Sequence, residues 1–218
     1  MGRRGEPGVV MRMERDAGGR PENAEPGHGG PAGDDENLML RFCAGEVAAF
    51  DRLFERHGDC VYRYLVRRCT DRAVADDLFQ DVWLKLVRAR HSYCPAAGRF
   101  VTWLFRIAHN CVVDHYRHRG REQRCLETDG EAVASAPDPG GRNPETVADL
   151  NQRMERLLVL VERLPAVQRE AFLLRHEAGL SVAEIAGVTG VGVETAKSRL
   201  RYAMNSLRAG LRDPGETA

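Results

Sequence analysis

Val74, Leu78, Val82 and Leu86 recur at intervals of four residues, and no stretch of the chain alternates apolar and polar residues in the manner of a strand. Steps of three and four place apolar side chains on one side of an α-helix but scatter them over both faces of a strand. The same spacing governs the surrounding segments. In 48–69 the apolar positions are Phe50, Leu53, Phe54, Val61, Tyr64 and Leu65, followed by a turn-like Cys69-Thr70-Asp71. After Pro95-Ala96-Ala97-Gly98, one helical face carries Phe100, Trp103, Leu104, Ile107, Ala108 and Cys111. Further on, Leu150, Met154, Leu157, Leu158, Val161 and Leu164 predict a helix over 150–164. Pro165 opens the next, over 166–178, and Gly179 stops it. The expected fold is all-α.

Glycine, proline and charge divide these helices into two groups. Residues 1–37 hold 9 Gly and 4 Pro with few large apolar residues, and 126–149 hold three prolines, three glycines and no apolar stripe. Neither segment can bury enough surface to offset its chain entropy. The expected organisation is a disordered tail (1–37), a helical bundle (38–125), a flexible acidic linker (126–149) and a second small helical domain (150–212). Met11, Met13 and Met39 are alternative starts within or beside that tail. The formal charge of the 218 residues is zero, with 32 basic and 32 acidic residues. By segment it resolves into −3, +6, −5 and +2, so two mildly basic domains alternate with two acidic connecting segments. No uncharged apolar run approaches the roughly 18 residues of a membrane span, and no apolar core follows the N-terminal arginines as in a secretory signal. A cytoplasmic protein is expected. The six cysteines (Cys43, Cys60, Cys69, Cys94, Cys111 and Cys125) contain no CxxC pair, which leaves zinc-ribbon and thioredoxin chemistry without support; they read as reduced thiols, with Cys111 in the core.

Three places carry candidate chemistry. The helix around Val74–Leu86 leaves Asp76, Asp77, Gln80, Asp81 and Lys85 on its polar side. The segment from Arg99 to Arg124 interleaves six arginines with Asn110, Trp103, Phe105 and Tyr116. Cations for phosphates and flat rings for unstacked bases are what melted nucleic acid requires. Trp103 fits the apolar stripe and is expected at least in part in the core; Phe105 lies off it, beside Arg106. The bland alternative is a solvated basic face over an ordinary core. His109, His115 and His118 with Asp114 lack the Glu or Cys that would complete a recognised metal set, and neither metal nor cofactor is expected. The third place is C-terminal. Ser181-Val182-Ala183-Glu184 has the capping-box pattern, a short helix is expected over 182–186, Gly187-Val188-Thr189-Gly190 forms a turn, and a long helix runs from 193 to 211. Ala183, Ile185, Ala186, Val191, Ala196 and Leu200 are expected where the two helices pack. This is a helix-turn-helix pattern, and the second helix carries Lys197, Arg199, Arg201, Arg208 and Arg212 with no acid between Glu194 and Asp213. Its first turns offer Glu194, Thr195, Lys197, Ser198, Arg199 and Arg201 to a DNA groove.

Taken together, these residues resemble a known family. LPAVQREAFLLRHEAGLSVAEIAGVTGVGVETAKSRLRYAMNSLR (164–208) is similar to the C-terminal domain of bacterial RNA polymerase sigma factors of the extracytoplasmic-function (group IV) subfamily. NLMLRFCAGEVAAFDRLFERH (37–57), DDLFQDVWLKL (76–86) and GRFVTWLFRIAHNCVVDHYRHRGR (98–121) resemble that subfamily's N-terminal domain. The resemblance covers nearly all of 37–211 in the right order. It implies that Asp77, Gln80, Asp81 and Lys85 dock on core RNA polymerase. It implies that Phe105, Asn110 and Asp114 line the pocket for a flipped base of the minus-ten element, with Arg106, Arg117 and Arg119 on phosphates or duplex. It assigns minus-thirty-five reading to the long C-terminal helix and the acidic linker to a basic channel of the polymerase. An anti-sigma partner is also implied. Gly192 stands where such helices often begin with Ser.

The expected function is therefore a non-enzymatic sigma factor that binds core polymerase, recognises both promoter elements, assists melting and directs initiation. A free-standing helix-turn-helix regulator is the alternative, and a metal-dependent hydrolase using His109, His118 and Asp114 a more distant one. A chain without surplus positive charge should hold DNA weakly alone, which favours the sigma reading over the free regulator.

Overall fold

The computed structural model describes residues 34–123 and 144–212. Eight α-helices fill the described residues: α1 (Asp34–Cys43), α2 (Val47–Arg68), α3 (Arg72–Ala89), α4 (Phe100–Gln123), α5 (Pro144–Glu162), α6 (Ala166–His176), α7 (Val182–Thr189) and α8 (Val193–Leu211). Two short 3-10 turns, Arg90–Ser92 and Pro95–Ala97, connect α3 to α4. The all-α expectation holds among the described residues.

In the N-terminal bundle, α1, α2 and α3 surround α4. Leu53, Val61 and Leu65 of α2, Val82 and Leu86 of α3, and Phe100, Leu104 and Ala108 of α4 are sealed from solvent. Asp71 caps α3 by accepting a 2.9 Å hydrogen bond from the Ala73 amide. Phe54, placed on the α2 stripe by its spacing, is instead 39% exposed, because it lies at the margin of an aromatic cluster with Phe50, Phe79 and Trp83.

The boundaries depart from expectation at both connecting segments. The expected 1–37 tail overlaps α1, which begins at Asp34 because the acids there are bound. Asp34 and Asp35 accept from Arg56 at 2.6 and 2.8 Å, Asp35 also meets His57 Nε2 at 2.9 Å, and Glu36 accepts from the Phe100 amide, capping α4. Partial burial pushes the Asp35 pKa up, but the bonds and charges of His57 and Arg56 outweigh it and hold the carboxyl below its ordinary range. The expected 126–149 linker overlaps α5, which starts at Pro144, a residue whose fixed φ suits a first helical turn. The rest of the expected tail and linker, with Arg121, Arg124 and Cys125, lies outside the described side chains.

In the second group, α8 packs on α6, α7 and α5. Leu173, Leu174, Leu180, Ile185, Ala196 and Ala203 form its sealed centre. Gly210 lets α8 close on α5, since a Cβ there would run into the Leu160 side chain. The helix expected over 182–186 runs on to Thr189. Gly190 ends it in the left-handed region (φ +69°), where the Val191 amide donates back to the Ala186 carbonyl at 3.1 Å. Ala183 is exposed rather than packed between α7 and α8. The two groups touch: their apolar cores join, and α4 packs against α7.

Candidate nucleic-acid interface

The polar stripe of α4 is built by helix geometry. Arg106, Asn110, Asp114 and Arg117 follow one another at steps of four, four and three, so they share one face. Arg106, Asn110, Arg117 and Arg119 are exposed and Asp114 is half-buried. Asp114 is held between two cations. Arg117 Nη1 lies 3.3 Å from one carboxylate oxygen and Lys85 Nζ of α3 lies 3.9 Å from the other. Lys85, expected on the polymerase-docking face, thus also reaches the stripe expected to meet DNA.

Phe105 does not belong to this surface. It is sealed from solvent and its ring packs edge-on against Tyr64. The correction has a plain cause. A second apolar line, Val101, Phe105, Ala108 and Val112, runs along α4 at steps of four, three and four, and all four are buried. The spacing was visible in the sequence, but a helix covered on two sides carries two stripes and only one was expected. Trp103, expected at least in part in the core, is half-buried, packed against Tyr93 and Phe100 at one end of the Arg106–Arg117 stripe.

The three histidines of α4 diverge. His109 Nδ1 meets Glu170 at 2.8 Å, His118 Nδ1 meets the Asp114 carbonyl at 2.7 Å, and the His115 ring lies against Tyr116. On α3, Asp77, Gln80, Asp81 and Lys85 are exposed together along one side, as expected, with Leu84 between them at 50% exposure. Asp76 is engaged by the Tyr62 hydroxyl at 2.8 Å.

At the C-terminal end, the capping box of α7 is complete. Ser181 Oγ accepts from the Glu184 amide at 3.3 Å and Glu184 Oε2 accepts from the Ser181 amide at 2.8 Å. Gly192 begins α8 without a side-chain cap. Glu194, Thr195, Lys197 and Arg201 are exposed, while Ser198 and Arg199 are half-buried. Arg199 falls at the margin of the packing stripe formed by Ala196, Ala203 and Leu207, whereas Lys197 and Arg201 face away from it. Lys197 pairs with Glu194 at 3.8 Å.

The sequence reading missed the polar groups joining the two helical groups. Glu170 is buried and accepts at 2.8 Å from His109 and at 3.3 Å from the Tyr64 hydroxyl, with Arg68 Nη2 at 3.1 Å. Glu177 is held by Arg63 at 2.8 Å and by Arg67. Glu184 Oε1 accepts from Thr102 Oγ1 at 2.6 Å, with Arg99 at 3.5 Å. Burial pushes the pKa of Glu170 up, but the hydrogen bond to His109, the charges of Arg68 and His109 and the Tyr64 hydroxyl outweigh it, leaving the carboxyl below the ordinary glutamate range. Glu184 is lowered in the same way, burial being overcome by Thr102, Ser181 and Arg99. A signal was present: these are the only acids between 163 and 193, spaced seven residues apart.

Two family models match this arrangement, sigma-70 region 2 over residues 53–122 and sigma-70 region 4 over 154–207. The chain is 35% identical to the ECF RNA polymerase sigma factor BldN of Streptomyces coelicolor, over 80% of this chain and 66% of that protein. It is 31% identical to the RNA polymerase sigma factor CarQ of Myxococcus xanthus, over 78% of this chain and 93% of that one. The chain belongs to the ECF sigma factors. The fold agrees: the sigma factor RpoE of Bartonella quintana, solved in complex with the anti-sigma factor NepR, superposes with a TM-score of 0.61 at 26% identity, covering 74% of this chain and 96% of that one. In this sigma factor, the region 2 match spans α3 and α4 as far as residue 122, and the region 4 match spans α6, α7 and α8 as far as residue 207. Sigma factors direct transcription initiation. No helix of the described residues is long and apolar enough to cross a membrane.

Proposed function

We propose that this sigma factor binds core RNA polymerase through the exposed side of α3, reads the minus-ten element with α4 and the minus-thirty-five element with α8. The observation that carries the reading is the Arg106, Asn110, Asp114 and Arg117 stripe, which combines phosphate-binding cations with hydrogen-bonding groups suited to base edges on one accessible face. Trp103 replaces Phe105 as the aromatic available to an unstacked base beside that stripe. Extruding a base costs a few kcal/mol, which stacking and the larger polymerase interface offset. On α8, Thr195, Lys197, Ser198 and Arg201 supply major-groove contacts, and Arg199, partly tucked into the packing face, serves a phosphate. Asp77, Gln80 and Asp81 give α3 an acidic, hydrogen-bonding surface for the polymerase, with Leu84 as its apolar centre. The solved RpoE relative is bound to an anti-sigma factor, and an anti-sigma partner is proposed for this chain too.

The test is reconstitution. Core polymerase supplied with this protein initiates at its cognate promoters, found by sequencing the transcripts it adds on genomic DNA. Core polymerase that gains no new start sites overturns the reading.

A further inference from the structure

Helices α3 and α4 pack on each other through Val82 and Leu86 on one side and Ala108 and Cys111 on the other, all buried. Lys85 and Asp114 stand at the edge of that contact, each with nearly half of its side chain exposed. The Lys85 amine reaches across the seam. Its Nζ lies 3.9 Å from Asp114 Oδ2, although Asp81 stands one turn back on its own helix. The Cys111 thiol, three residues before Asp114, registers the same placement: burial pushes its pKa up, and the Lys85 amine beside it pulls the other way. Arg117 Nη1, three residues further along α4, lies 3.3 Å from the other oxygen of Asp114. The carboxylate is thus held at each oxygen by a cation, one from each helix.

An ion pair this exposed adds little to stability, so what the two holds supply is orientation. Orientation matters for a carboxylate that meets a base. An ionised carboxylate only accepts hydrogen bonds. Adenine and cytosine present an exocyclic amine where guanine and thymine present a carbonyl oxygen. A carboxylate fixed toward that position favours an amino base and repels a keto base. One free to turn about χ2 spreads its oxygens over several directions and discriminates less. We propose that Lys85 is a positioning residue for base selection: from α3 it fixes the Asp114 carboxylate of α4 toward an amino base, adenine or cytosine, of the minus-ten element. This role rests on the reading of α4 as the minus-ten helix, with Asp114 as a base contact. Lys85 thereby leaves the polymerase-docking group, in which Asp77, Gln80 and Asp81 remain.

The test uses holoenzyme reconstituted from the full chain and core polymerase, offered a pool of duplex promoter DNA randomised across the minus-ten element. The bound DNA is sequenced. Wild-type holoenzyme enriches adenine or cytosine over guanine and thymine at one position of the element. Asp114→Ala lowers that enrichment on the order of tenfold, the worth of one good base contact. Lys85→Met keeps the length of the stem and removes the charge; it lowers the enrichment at the same position by about threefold or more and adds no further loss in the Asp114→Ala background. Lys85→Arg, which keeps a cation within reach of Asp114, retains the preference. Competition for core polymerase, run in parallel, separates docking from reading, and circular dichroism checks that each variant keeps its helices. A Lys85→Met protein that weakens core association equally on all promoters and leaves base enrichment at the wild-type level overturns the role. So does a loss of enrichment that recurs in full when Asp114 is already alanine. Asp114→Ala that changes base preference at no position overturns the reading of Asp114 as a base contact, and the role of Lys85 with it.

Discussion

The Phe105 ring meets the Tyr64 ring edge-on, with centroids 5.4 Å apart and planes at 76°. Both rings are sealed from solvent, and the Tyr64 hydroxyl continues to Glu170 in the second helical group. One aromatic pair therefore ties α2, α4 and α6. Phe105→Ala is expected to cost about 3–5 kcal/mol of stability, as a cavity in a packed core does. Chemical denaturation checks this: a variant of unchanged stability with a selective melting defect would return Phe105 to the DNA surface.

Arg117 predicts a different signature. It is exposed on the α4 stripe, so Arg117→Ala leaves stability within about 0.5 kcal/mol. In the reconstituted holoenzyme it weakens promoter binding and lowers the slope of log affinity against log salt by about 1. The measurement is a salt titration of wild type and variant side by side.

On α3, Asp81→Lys reverses a charge on the face proposed for polymerase. The expected result is at least about tenfold weaker association with core polymerase, with unaltered helix content. Competition between labelled wild type and unlabelled variant for core polymerase measures it directly.

The contact between the two helical groups carries a pH signature. Glu170 and Glu184 both titrate below the ordinary value of 4.5 when folded. A carboxyl with a depressed folded-state pKa contributes stability that is complete above its unfolded value and disappears as pH falls through the folded one. The contact between the two helical groups should hold from pH 7 down to about 4.5 and loosen only below it. Scattering across pH 7 to pH 3 reads the transition; opening well above pH 5 would contradict it.

Gly190 predicts a purely structural loss. At φ +69° it closes α7, and a Cβ meets no neighbouring atom within 4 Å, so the penalty of Gly190→Ala is conformational. It is expected to cost about 1–2 kcal/mol, seen as a lowered melting temperature.

Helices with one apolar stripe were legible in the sequence. The steps from Val74 to Leu86 gave α3 its buried side, and Gly179, Pro165 and the Ser181–Glu184 box gave the turns of the second group. Positions with two neighbours were not. Phe105 looked displaced because the stripe of Phe100, Leu104 and Cys111 accounted for one side of α4, while the side covered by α2 carried its own. Acids misled for a related reason. Asp34, Asp35 and Glu36 read as the end of a solvated acidic tail, yet each finds a partner more than 20 residues away in sequence, at Arg56, His57 or the Phe100 amide. Periodicity reports which side of a helix is apolar; it is silent about pairings set by how helices meet.

Those three acids also decide where the reading frame can usefully begin. Translation from Met11 or Met13 retains them. A product starting at Met39 would lose the bonds to Arg56 and His57, leave the first amide of α4 without its carboxylate, and put a charged amino terminus on a side chain that is otherwise wholly enclosed. A shortened product keeps all of these contacts only if it begins at or before Asp34.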